Sequence, residues 1–218
     1  MTIRFLSNLV LCAWLAALPA AADYKLEKGV ALAEGVPAAL KDTVEAQGVR
    51  VLNDAGAPYA ELWLNKALAG EAKAAAVDVL NPGIPEGSFL GLWRVAAAGS
   101  DFRGQSIKPG LYSMRYALMP VDGNHVGAAS YRDFVLLLPA AADTQPAANL
   151  KLEDVVALSR KASGTGHPAV FPMASLEGAG ETALSKNSDG HWILRAKLST
   201  KSGAGIPVAL TVVGKSEH

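Results

Sequence analysis

The chain has one cysteine, Cys12, in 218 residues, and it lies in an apolar leader. Past residue 22 there is no thiol, so disulfides, Cys-ligated zinc, iron–sulfur clusters and thiol nucleophiles are all excluded there. Neither sign of charge prevails: 20 basic residues balance 20 acidic ones. That balance withholds the basic excess that phosphate-backbone binding draws on, and nucleic acid is not an expected partner. Charged residues make up only 18% of the sequence against 50% hydrophobic, a ratio that argues against disorder. After residue 22 no apolar stretch reaches the length of a transmembrane helix.

What is present begins with an export signal. Arg4 supplies a short positive region, and Leu9–Leu18 is an apolar run too short to cross a hydrocarbon core of about 30 Å. Pro19-Ala20-Ala21-Ala22 then offers small residues in cleavage spacing, predicting a signal peptide over residues 1–22 and a periplasmic or secreted product. Leu11 stands where lipidation of Cys12 would need a small residue. The remaining residues, 23–218, suffice for a single domain without staples.

Along that domain the pattern is one of short strands between turns. Pro37 suits the first position of a helix, with Leu40 and Val44 on one face and Gly48 as its stop. Val49–Leu52 and Ala57–Leu64 flank Asn53-Asp54-Ala55-Gly56, a hairpin signal. Lys66–Val79 is alanine-rich and predicts a helix, ended by Asn81-Pro82-Gly83. Phe89–Val95 is an apolar strand. In the next strand Tyr112, Met114, Tyr116 and Leu118 share one face. Tyr131–Leu138 follows as a buried strand, and Leu152, Val155 and Val156 give helical spacing that Gly164 ends.

Ala169–Met173 and Thr182–Ser185 are further strands. Trp192, Leu194, Ala196 and Leu198 alternate inward against an outward His191, and Ile206–Val213 closes the chain. Roughly eight strands without βα alternation predict a mainly β chain, an antiparallel β-sandwich with one or two short helices.

Catalytic motifs are absent: there is no G-x-S-x-G, S-x-x-K, H-E-x-x-H or P-loop, and Gly214-Lys215-Ser216 lacks the first glycine of a Walker motif. Ser163-Gly164-Thr165-Gly166 follows a helix instead of opening one, so it reads as a terminating loop. The densest polar constellation is Asp122, Asn124 and His125 in one loop, then Arg132 and Asp133 at the start of a strand. It is open to two readings. Either the charges form a clamp that fixes the loop, with Arg115 and Arg132 holding Asp122 and Asp133, or they converge on a polar ligand.

His125 and His167, both in loops, are candidate metal ligands; with Met119 and Met173 they would suit copper. Asp122, His125 and Asp133 could instead serve a hydrolase. Trp63, alternating with Tyr59 and Glu61, is either core or an exposed aromatic platform for a sugar. No cofactor is identifiable from these residues.

The run Ile107-Lys108-Pro109-Gly110-Leu111-Tyr112-Ser113-Met114-Arg115-Tyr116 continues through Pro120, Asp122-Gly123-Asn124-His125 and Tyr131-Arg132-Asp133-Phe134. It resembles a block in a family of uncharacterised exported bacterial β-sandwich proteins, and more loosely the Pro/Ala-Gly-x-Tyr strand entry of secreted sandwich domains. The resemblance implies the fold and export and carries no reaction with it. The expected role is non-catalytic binding or an accessory function, with metal binding and hydrolysis as alternatives. Mass spectrometry of the exported protein is expected to find an N-terminus at or within a few residues of Asp23; an exported soluble form that keeps Met1 would overturn the signal-peptide reading.

Overall fold

The computed structural model describes residues 23–216 except 124, 126 and 179, so the signal peptide expected over residues 1–22 lies outside the described residues. In chain order the elements are β1 (Lys25–Ala31), α1 (Ala38–Lys41), β2 (Gln47–Leu52), β3 (Pro58–Leu64), β4 (Phe89–Val95), β5 (Gly99–Ser100), β6 (Ser106–Ile107) and β7 (Gly110–Leu118). They continue with β8 (Asp133–Pro139), a 3-10 turn (Ala140–Ala142), α2 (Leu152–Ser163), β9 (Ala169–Pro172), β10 (Ala183–Lys186), β11 (Trp192–Ser199) and β12 (Gly205–Val213). Strand, at 40%, outweighs helix, at 10%, and the expected mainly β class holds.

Two antiparallel sheets pack face to face. The larger has seven strands in the order β1-β2-β3-β4-β7-β8-β9, the smaller three in the order β10-β11-β12, and β5 pairs with β6 in a short hairpin. Alternation along the strands decides which residues meet between the sheets. Tyr112, Met114 and Tyr116 of β7 and Val135 and Leu137 of β8 face the smaller sheet, where Leu194, Ala196, Leu198 and Leu210 close the core. The backbone N–H of Ala174 donates to the Ala209 carbonyl at 2.8 Å, and Met173 bridges Leu210, joining the sheets along one side.

The larger sheet's other face is also apolar, and the helices cover it. Trp63, Phe89 and Leu92 pack under α1 through Leu40, with Val44 beside it. Phe89 and Leu92 can share this face because a bulge between Phe89 and Gly91 resets the alternation. Ala117, Leu136 and Leu138 pack under α2 through Val155. Trp63 is fully buried and its Nε1 donates to the Val30 carbonyl at 3.1 Å, so the aromatic-platform reading is overturned. α1 is shorter than the spacing predicts: it stops at Lys41, although Leu40 and Val44 both reach the core as expected.

Beyond α1 and α2 the outer face carries charge. Glu27, Arg50, Glu61 and Arg94 stand opposite one another across four adjacent strands. Arg50 Nε and Arg94 Nε each donate to Glu61 at 2.6 Å, and Arg50 reaches Glu27 at 3.2 Å. Burial alone pushes the Glu61 carboxyl up, but the two guanidinium hydrogen bonds outweigh it and hold the group below the usual carboxylate range.

Two expectations fail. Lys66–Val79 is irregular, not helical, because its backbone is committed elsewhere: Leu68 N donates to Ser199 O, Lys201 N to Leu68 O, and Glu71 N to Gly83 O. Its alanines offer no apolar stripe to repay a helix. Trp192 is half-buried at the sandwich rim, edge-on to Tyr24 at 5.7 Å, because it begins β11, where the pairing with β12 ends in a bulge at Val212.

Arg115 lies on the helix-covered face and is fully buried. Its Nε and Nη2 donate to the Asp143 carboxylate at 2.8 and 2.5 Å, and its remaining N–H groups reach the carbonyls of Gly87, Ala148 and Gln145 at 2.7–2.8 Å. All five donors of the guanidinium are thereby used. Arg115→Ala strands the buried Asp143 charge and is expected to lower the unfolding free energy in urea by about 3–5 kcal/mol. A loss below about 1 kcal/mol would refute this role; the double variant Arg115→Met/Asp143→Leu is expected to recover part of the loss.

Candidate functional site

The polar constellation does not converge. Alternation sends Asp133 inward and Arg115 outward, so a pair between them is impossible across the sheet. Asp133 is fully buried and accepts from Leu80 N at 2.7 Å, Asn81 N at 2.9 Å and Tyr116 Oη at 2.7 Å. Burial first, then the bond to Asp133, push the Tyr116 phenol far above its ordinary value, fixing it as a donor.

Arg132 instead donates through Nε to Met119 O at 2.8 Å and lies 3.6 Å from Asp78. These two residues pin the 78–81 segment to the start of β8, which corrects the expected Arg132–Asp133 clamp. Asp122 departs from the expected arginine pairing too: its carboxylate takes His125 Nδ1 at 2.9 Å in an exposed loop, and Arg115 and Arg132 form ion pairs with Asp143 and Asp78. An Nδ1–H donated to Asp122 leaves Nε2 as the ring's acceptor. Asn124 lies outside the described residues.

Joint metal ligation by His125 and His167 requires their two loops to approach each other. Strand register sets their roots apart: the His125 loop joins Leu118 to Asp133, whereas β9, which His167 precedes, begins opposite Leu137 near the far end of β8. The two histidines nevertheless line one groove. Met119 lines it too, but Met173 belongs to the core between the sheets, where its sulfur accepts from Asn81 Nδ2 at 3.7 Å; the four-residue copper set is therefore split. Among the described residues no group of three or more His, Cys, Asp or Glu is placed to hold a metal ion.

That groove, about 750 Å³, runs along α2 over the outer face of the larger sheet. Phe134, Leu136 and Val170 are its apolar floor, with Val156 of α2 as one wall. At its second end stand Arg103, Arg160 and His167, of which sequence reasoning selected only His167. Arg103 lies in the β5–β6 turn, Arg160 in the last turn of α2 and His167 in the loop into β9.

The loops there are tightly stitched. Buried Asp101 accepts from the backbone N–H of Arg103, Gln105 and Val170 at 3.0, 2.8 and 3.2 Å, and from Gln105 Nε2 at 2.6 Å. Gln105 Nε2 also donates to Pro168 O at 2.9 Å, and its Oε1 accepts from Thr165. The signal that could have found this end is Asp101-x-x-Gly104-Gln105, an aspartate followed by a turn glycine, whose φ is +81°.

No family model, curated protein or solved structure matches the chain. Asp133→Ala would leave the buried N–H groups of Leu80 and Asn81 without their acceptor, and the Tyr116 hydroxyl with only Asn81 O at 3.3 Å, and is expected to cost about 3 kcal/mol in chemical denaturation. An undiminished stability would show that the 78–81 segment is held by other contacts.

Proposed function

We propose that the chain is an exported, non-catalytic binding protein whose site is the groove along α2. The carrying observation is the groove itself: where α2 lies beside β8 and β9 a cleft with an apolar floor remains, at a volume within the range of small-molecule sites. The leader over residues 1–22, read from sequence, supports a periplasmic or secreted setting.

Catalysis finds less support. Asp133, one of the three groups a hydrolase would use, is saturated by structural donors on the other face of the sheet. The Asp122–His125 pair has the geometry of an oriented base, yet among the described residues no hydroxyl hydrogen-bonds to His125 as a nucleophile would. A second reading, copper held by His125 and His167, is favoured by their lining the same groove; titration of the purified protein with Cu²⁺, with and without His125→Ala, tests it.

The binding reading is tested with Nile red, a neutral dye that brightens in apolar surroundings. Saturable one-to-one binding is expected, and Val156→Trp and Val170→Trp, which fill the groove from its α2 wall and from its floor, are each expected to weaken it by at least about tenfold with melting transitions preserved. Non-saturable dye uptake, or full affinity in both variants, would sink the proposal.

A further inference from the structure

The charge around the groove is one-sided. Its charged and ionisable lining comprises Arg103, Arg160, His125 and His167; among the described residues no Asp or Glu lines it. Arg103 and Arg160 are exposed, and among the described residues neither guanidinium has an ion pair or a hydrogen bond. For a chain with equal numbers of acids and bases, this leaves a local excess of positive charge beside an apolar floor.

The obvious neutralising partner is not available to them. Asp101 is the acid nearest in sequence to Arg103, but it is buried, and four N–H donors from its own turn and from β9 occupy its two oxygens. Glu153 and Asp154 sit in the first turn of α2, while Arg160 is in the last. The Asp101–Gln105 network therefore holds the backbone of Arg103 next to that of His167 while taking no guanidinium hydrogen bond itself.

Resting on the proposal that the groove is a binding site, we infer that its ligand is a single-chain amphipathic carboxylate, with its head group at the Arg103–Arg160 end and its chain along Phe134, Leu136 and Val170. The guanidinium fork matches a carboxylate edge through two parallel hydrogen bonds. The apolar floor leads away from that end, so head and chain are both met by one rigid channel. Among the described residues a cationic amphiphile finds no carboxylate in the lining, and a neutral one leaves the two guanidinium groups unused.

The experiment displaces Nile red from the full-length exported protein with four twelve-carbon probes below their aggregation limits: dodecanoate, dodecyl phosphate, dodecanol and dodecyltrimethylammonium. Dodecanoate is expected to bind at least about tenfold tighter than dodecanol, and dodecyltrimethylammonium weakest. Arg103→Gln and Arg160→Gln, both at exposed positions, are each expected to weaken dodecanoate by about tenfold and leave dodecanol unchanged. Equal affinity for all head groups, with Nile red still bound, overturns this inference and leaves the groove proposal standing. Dodecyl phosphate binding tighter than dodecanoate overturns the carboxylate assignment. Failure of Nile red itself to bind overturns both.

Discussion

The buried ion pair between Arg115 and Asp143 is the contact on which the outer half of the molecule depends. Arg115 stands on the larger sheet between the patch covered by α1 and the patch covered by α2, with its guanidinium carbon 5.6 Å from the centre of the Phe89 ring. Besides Asp143 it holds the carbonyls of Gln145 and Ala148. Those residues belong to the connection that carries the chain from β8 back across the sheet to the start of α2. Two charges removed from water gain little net stability, so the pair is better understood as fixing one arrangement. A hydrophobic substitute could fill the space without choosing where the connection runs.

From that placement the groove follows. The seven-stranded sheet has two apolar faces, and the three-stranded sheet covers only one of them. On the other, α1 has four residues and α2 twelve, too little helix to cover seven strands. Over β1 to β4 the shortfall is met by the row Glu27–Arg50–Glu61–Arg94, whose charges can face water. Over β8 and β9 the groove runs beside α2, with Phe134 and Leu136 buried and Val170 half-buried along its floor.

Much of the fold was legible because it rests on local chemistry. The Asn53–Gly56 turn forms as read, with Gly56 at φ +74° and Asn53 capping Ala57 N at 2.9 Å. The alternation of β7 and the αL stop at Gly164 are equally visible in sequence. β1 was missed because five of its seven residues are exposed and it carries Lys25, Glu27 and Lys28, which give no buried alternation. The clamp partners were misassigned for another reason. Asp133 is satisfied by Leu80 and Asn81, more than fifty positions away, and Arg115 by residues 28 to 33 positions away. Proximity along the chain suggested Asp122, whereas the parity of β7 and β8 forbids Arg115 from meeting Asp133 and is itself readable from residue numbers.

The candidate site shows the same division at closer range. His125 and His167 were legible as loop histidines, but the same groove also takes Arg103 from the β5–β6 turn and Arg160 from the end of α2, a meeting that no periodicity reveals. Phe102 N donates to Val170 O at 3.0 Å, so the β5–β6 turn extends the edge of β9 and carries Arg103 to the floor's end. Asp101 and Gln105 then lock this turn to Pro168 before any ligand arrives. The backbone positions at that end are thus set in advance, which lowers the ordering cost of binding and leaves only exposed side-chain heads to adjust. A backbone fixed at the head-group end, joined to an apolar groove floor, is a combination suited to holding a molecule by its two unlike ends, and it places no demand on the Asp122–His125 pair for chemistry.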